Sequence, residues 1–343
     1  MGELIRPDPN IRRARDPYLD NVKAILVTLV VVGHGIEALK GTIPEGLYIA
    51  IYSFHMPAFA ALSGYLSRAW EPDRRRCRQL IAGLIAPFVI FQVLLAGEFS
   101  LLTGSPFPRD LLTPRGATWF LLALAWWRLA TPALRFLRAP VIVAAAISVL
   151  APLDPNMSSV AAVSRTVGFL PFFVLGLVLR PGAFSVLRRP LVRVAAGVVL
   201  AGIVAGGILG GDSVARGWLY MRSPYRPDDG TVRSLLIRLA VLAVGVLGAA
   251  AVASLAARGR TWFTVIGVNS LNVYLTHLVV LQAARWLEPT TGVLRGEAGI
   301  AKTAAVVACA AGLAWGLGSI PVVKVTRWLT HPDFLARWVV HAG

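Results

Sequence analysis

Lys23 and His34 stand eleven residues apart in a run that is otherwise almost wholly apolar and begins Leu19-Asp20-Asn21. On an α-helix this spacing amounts to about 1,100° of rotation, so the two side chains project within roughly 20° of each other, separated by ~16 Å along the axis. An imidazole with an ordinary pKa of about 6.5 can take a proton from an alcohol at neutral pH. An ammonium on the same face, nearer the chain's start, can hold a phosphate or a carbonyl oxygen. Two more histidines lie in apolar runs, His55 within Ser53-Phe54-His55-Met56-Pro57 and His277 at the end of Asn269-Ser270-Leu271-Asn272-Val273-Tyr274-Leu275-Thr276-His277. Counted along their helices, His34 and His55 fall roughly 18 Å from the inner end and His277 roughly 22 Å. Ionisable groups at shared membrane depth point to a polar pocket, because each is costly there without a partner or a function. Each has a plainer reading. His34 could be a packed histidine bonded to a backbone carbonyl, His55 and His277 could make helix–helix hydrogen bonds, and Lys23 could be a snorkelling anchor. Glu37, three residues beyond His34, could orient the ring or reach the outer interface.

The elements that must position these residues are membrane spans. Of 343 residues 56% are apolar and 15% charged, and the mean hydropathy is +0.67. A soluble domain carries about 25% charged residues to solvate its surface. Runs near 20 residues match a hydrocarbon layer roughly 30 Å thick. Ten are predicted, at 22–39, 47–67, 80–102, 118–134, 139–152, 161–180, 191–210, 235–257, 262–287 and 300–320. The fourth and fifth are short and punctuated by Pro132 and Pro140. The expectation is therefore an all-α polytopic bundle in the cell membrane, with a tail over 1–21, a membrane domain over 22–328 and a second tail over 329–343. Trp119, Trp126 and Trp127 are expected to form an interfacial belt.

With the N-terminus cytoplasmic, the inside segments hold 19 lysines and arginines and the outside segments eight, which predicts both termini inside. The net charge of +17 invites a nucleic-acid partner. That class is excluded because the cations sit in short segments between apolar runs, as topology signals and contacts to anionic headgroups do. Two cysteines, Cys77 and Cys309, do not make a disulfide framework. No cleavable leader is expected. Metal-ligand spacings, a nucleophile elbow, a Walker loop and a dinucleotide fingerprint are absent from the sequence, so no metal is expected.

Lys23-x10-His34 after Leu19-Asp20-Asn21 resembles the Arg/Lys-x10-His motif of the acyltransferase 3 family of membrane O-acyltransferases, and Gly33-His34 with a lysine resembles its fucose 4-O-acetylase-like branch. Phe54-His55-Met56-Pro57 followed by Leu62-Ser63-Gly64-Tyr65 is similar to that branch's second-span signature, and Trp119-Phe120-Leu121 to its WFL segment. Gly168-Phe169-Leu170-Pro171-Phe172-Phe173-Val174-Leu175-Gly176 and Ser270-Leu271-x-Val273-Tyr274-Leu275-x-His277 resemble later patterns, in family order over roughly residues 18–280.

The resemblance implies an acyl-CoA donor, acetyl-CoA in this branch, on the cytoplasmic side and an acceptor hydroxyl of an envelope sugar or glycolipid outside. It makes His34 the catalytic residue, as general base or as acyl carrier, with Lys23 and Asp20 beside it. Arg74, Arg75, Arg76 and Arg78, in what reads as a basic loop, together with Ser63 and Tyr65, are the expected donor site; a plain positive-inside loop reads equally well. His55, Trp119, Asn269, Tyr274, His277 and Glu37 are the expected acceptor site. A homodimer is left open. Lys23 supplies a point charge where the arginine branch has a planar fork. The WFL segment lacks the glutamate some branches carry, and no fused esterase-like domain is expected. The competing class is a transporter or flippase using the same pocket, against which stands the lack of an inverted repeat or paired broken spans.

Overall fold

The computed structural model describes residues 15–332, apart from 158, 181, 211–213 and 289–291, together with residue 335. Most of the expected N-terminal tail and most of the stretch beyond residue 332, Arg337 among it, lie outside the described residues.

Helices follow one another along the chain: α1 (Pro17–Ile36), α2 (Thr42–Leu66), α3 (Arg74–Leu80), α4 (Ala86–Thr103), α5 (Trp119–Arg135), α6 (Pro140–Leu150), α7 (Val163–Val178), α8 (Ala183–Leu187), α9 (Pro190–Gly210), α10 (Arg216–Tyr220), α11 (Thr231–Leu255), α12 (Thr264–Val268), α13 (Ser270–Leu287), α14 (Ile300–Gly318) and α15 (Ile320–Thr330). Two two-residue strands, β1 (Leu39–Lys40) and β2 (Gly296–Glu297), pair in parallel and tie the loop before α14 to the end of α1. The chain is an all-α membrane bundle. Among the described residues seven helical stretches are long and apolar enough to cross a bilayer: α1, α2, α3–α4, α7 with its preceding turn, α9, α11 and α14. The other three expected spans coincide with α5, α6 and α12–α13, which are shorter, more polar or broken.

The span boundaries shift for local reasons. Arg74–Arg78, expected as a loop, is the first part of α3, because Asp73 caps it by accepting from the Arg76 amide at 2.7 Å and arginine is a good helix former. A π-helical turn at Ile81–Ile85 joins α3 to α4. The ninth run breaks at Asn269 into α12 and α13. Beyond α14 a further helix, α15, follows over Ile320–Thr330, within the expected membrane domain for all but its last two residues.

α2 is the most enclosed span, with 78% of its apolar window buried, and it packs on α1, α7, α9 and α11. Its crossing with α7 is close enough that a Cβ at Gly64 would lie 1.9 Å from the Phe173 carbonyl oxygen, and one at Gly176 1.8 Å from that of Ala61. Small residues let two backbones meet in this way where lipid supplies no hydrophobic drive for helix association.

The tryptophan belt does not form as expected. Trp127 is 1% exposed and donates from Nε1 to the Thr166 carbonyl, and Trp119 is also buried; only Trp126 is on the surface. Trp119 and Trp126 project within about 20° of each other but stand two turns apart, so Trp119 meets Phe169 inside the bundle while Trp126 reaches the surface, and Trp127 is turned about 100° from Trp126 onto Phe173.

Candidate active site

The end of α1 that carries His34 opens on a cavity of about 490 Å³. Its walls come from α1, α2 and α13, from α5 and α7 by way of Trp119, Arg165 and Phe169, and from the segments at 114–117, 219–222 and 295. His34 Nδ1 lies 3.3 Å from Glu37 Oε2 and 3.4 Å from the Tyr52 hydroxyl. Glu37 caps the end of α1 and accepts from Arg285 Nη2 at 3.1 Å, while the same guanidinium also donates to the His34 carbonyl. Tyr48 donates to the other Glu37 oxygen at 3.5 Å. Burial would raise the Glu37 carboxyl, but the hydrogen bonds and charges of His34 and Arg285 outweigh it and hold the group down to about 2.

The three deep histidines come together. The His34 and His277 rings are 5.4 Å apart at their centroids, and Tyr52 stands between His34, at 6.1 Å, and His55, at 4.7 Å. His55 Nδ1 donates to the Ile51 carbonyl at 2.7 Å and His277 Nδ1 to that of Val273 at 3.0 Å. Both bonds are to the carbonyl four residues earlier in the same helix, not to a neighbouring helix. They place a proton on Nδ1 of each ring, and in His277 the other nitrogen, Nε2, is buried without a hydrogen-bond partner.

Of the residues singled out from the sequence, His34, Glu37, His55 and Trp119 line the cavity. Tyr274 and His277 form the layer behind it, with the Tyr274 hydroxyl donating to the Ala117 carbonyl at 2.5 Å. The others lie elsewhere. Lys23 and Asp20 pair at 2.5 Å with Asp20 buried, a separate ion pair nearer the start of α1. Asn269 donates to the Gly318 carbonyl at 2.9 Å and so holds α13 to the end of α14. Tyr65 packs on Phe184 and takes the Arg68 guanidinium 3.6 Å from its ring centre; Ser63 sits one turn before the C-cap of α2. Arg74, Arg75, Arg76 and Arg78 belong to α3, where Arg76 also pairs with Asp73 at 3.5 Å. None of these borders the histidine cavity.

Sequence reasoning missed two sets. Tyr48 and Tyr52 stack at 4.0 Å and continue to His55 along one stripe of α2; the i, i+4, i+7 spacing was available as a signal. Five arginines, Arg115, Arg165, Arg222, Arg285 and Arg295, face the cavity against one carboxylate, Glu37. They sit in four separate stretches of sequence with no common pattern. Among the described residues no group of three or more His, Cys, Asp or Glu could hold a metal ion.

The arrangement is an imidazole held by an acid–arginine pair beside a cationic, partly apolar cavity. Such a site can deprotonate a hydroxyl and stabilise the negative charge that develops on a carbonyl oxygen under attack.

The chain is similar to the nodulation protein NolL of Sinorhizobium fredii (strain NBRC 101917 / NGR234), 32% identical over 182 residues that make up 47% of this chain and 48% of that protein. It is also similar to NolL of Mesorhizobium japonicum (strain LMG 29417 / CECT 9101 / MAFF 303099), 48% identical over 58 residues, 16% of each chain. The match thus spans about half the length of the first relative and 16% of the second. No solved structure matches. The model of the acyltransferase domain matches residues 16–318, from the first turn of α1 to the end of α14, and the chain therefore belongs to the acyltransferase 3 family of multi-pass membrane proteins.

Proposed function

We propose that this acyltransferase moves an acetyl group from cytoplasmic acetyl-CoA to a hydroxyl of an envelope carbohydrate or glycolipid, with His34 handling the proton or the acyl group. The observation that carries the reading is the His34 ring opening on a cavity while its Nδ1 faces Glu37. With Nδ1–H held by the carboxylate, Nε2 carries the lone pair. In direct transfer Nε2 takes the hydroxyl proton as the oxygen attacks the thioester carbonyl and the thiolate leaves. In stepwise transfer Nε2 itself attacks, releases the thiol and passes the acyl group to the hydroxyl. Arg285, held by Glu37 and the His34 carbonyl, is placed to favour the oxyanion in either route.

The donor's nucleotide is expected at the α3 arginines and the acceptor in the cavity, with the cavity end of the bundle facing outward. Lys23, about three turns before His34 on α1, is expected to support a donor path without touching the reacting atoms.

The test is transfer from labelled acetyl-CoA in proteoliposomes. His34→Ala is expected to lose ~10²–10⁴-fold in rate while eluting as a folded protein. Full transfer by that variant would remove His34 from the chemistry. Movement of a sugar or lipid-linked precursor across the vesicle wall without release of free coenzyme A would favour the transporter reading instead.

A further inference from the structure

A second cavity is larger than the one at His34. A groove of about 910 Å³ runs between α2, α9 and α11 beneath the segment that carries α10. Its bed is apolar and partly without side chains, formed by Val199, Gly202, Ile203, Gly206, Val241 and Val244. Into this groove projects Arg238, seven residues into α11 and thus ~10 Å below the helix start. Arg238 is 2% exposed, and its Nε and Nη1 atoms have no hydrogen-bond partner; its guanidinium stands 5.8 Å from the Tyr225 ring, and among the described residues no carboxylate pairs with it. An unpaired guanidinium at this depth is among the most costly features a membrane helix can carry. Arg226 and Arg233 stand at the mouth, where Arg233 is already paired to Asp229 at 3.3 Å.

We propose that this groove holds an anionic glycerophospholipid from the surrounding leaflet, its phosphate on Arg238 and one acyl chain along the glycine-rich side of α9. Three observations select that occupant. The charge asks for an anion, and the bed below it asks for a hydrocarbon chain. The two helices that form the groove are the lipid-facing ones, with only 11% of the apolar window of α9 and 33% of that of α11 buried, so a bilayer lipid reaches it sideways. The depth of Arg238 matches a phosphate drawn slightly below the headgroup layer, which arginine tolerates by keeping its fork polar while its stem lies in hydrocarbon. Leu219 lines both this groove and the His34 cavity, so a lipid seated here would form part of the reaction cavity's wall. The proposal rests on the groove alone and not on the transfer reading.

The experiment is native mass spectrometry of the full chain, delipidated in detergent and then titrated with phosphatidylglycerol or with phosphatidylcholine of the same acyl chains. One tightly held phosphatidylglycerol is expected, with phosphatidylcholine at least tenfold weaker. Arg238→Gln and Arg238→Leu are expected to lose the adduct; the leucine variant removes a buried unpaired charge and so is expected to fold. Gly206→Phe, whose added ring enters open space, leaves the arginine in place and blocks the chain's bed, with the same expected loss. Equal binding of the two lipids overturns the proposal, as does retention of phosphatidylglycerol by any of these variants. A co-purified lipid-linked carbohydrate in the groove, in place of phospholipid, overturns the assigned occupant. A chain that binds phosphatidylglycerol as described but transfers no acetyl group would overturn the transfer reading and leave this one standing.

Discussion

The two ends of α1 use buried polar groups in opposite ways. At the start, Asn21 satisfies every side-chain hydrogen-bonding position it has within protein: its amide donates to the carbonyls of Ala257 and Gly259 at 2.9 and 2.7 Å, and its oxygen accepts from Thr261 and Thr264 at 3.1 and 2.6 Å. At the other end His34 shares one nitrogen with Glu37 and Tyr52 and keeps 19% of its side chain open, while the neighbouring His277 has a buried Nε2 with no partner. A saturated polar cluster locks helices in place. An unsaturated one next to a cavity has lone pairs left for a substrate. The same contrast holds on α13, where Asn272 bonds to Leu317, Thr326 and Thr330 while His277, further along, faces His34.

If this contrast is right, substitutions at the two ends separate activity from stability. The largest effect is expected from His34→Ala, a loss of ~10²–10⁴-fold in transfer with an unchanged melting midpoint in detergent. A midpoint that falls along with the rate would place His34 among the structural groups. Next comes Asn21→Ala, which strands two carbonyls and two hydroxyls and is expected to lower stability by about 3 kcal/mol, with transfer per folded molecule preserved. Gly267→Ala sharpens the point at the same end. A Cβ there would lie 1.7 Å from the Asp20 carbonyl oxygen, so α12 must back away from α1 at roughly 1–3 kcal/mol, again without a specific loss of rate.

The smallest effect is expected from Glu37→Gln, about tenfold in rate from the loss of one charge-assisted bond to the ring and to Arg285. Its pH signature is more telling than its size. The folded-state pKa of Glu37 is depressed, so the stability it contributes is present above the ordinary value of 4.5 and is lost only as pH falls toward about 2. In Glu37→Gln that acid-side loss of stability is expected to disappear, read as a melting midpoint that no longer falls between pH 4.5 and about 2; a midpoint that still falls as in the unaltered chain would mean that Glu37 is not the group responsible.

Much of the fold was legible because hydropathy is local. The existence and order of α1, α2, α7, α9 and α11 follow from apolar run length, although α1 and α2 each start five residues before their runs, and the shared face of Lys23 and His34 follows from helical period. Where local signals were read too simply, the structure departs from them. Basic residues look like a loop until the Asp73 cap is considered, and three tryptophans close in sequence look like a belt until Phe169 and Phe173 are found packed on Trp119 and Trp127. Asn269 looked like a pocket residue because it is polar in an apolar run. Its partner is a backbone carbonyl 49 residues away, at an end of α14 that no local pattern reveals.

The sequence by itself determined that this chain is a membrane bundle, that one of its helices carries a histidine capable of base chemistry, and that a lysine shares that face. Those follow from residue type, run length and helical period, each a property of a single segment. Tertiary structure alone decided that His277, Tyr52 and Arg285 meet at His34 and that five arginines converge on the cavity. Those depend on which faces of separate helices turn toward each other, and that is set by packing between segments far apart in the chain.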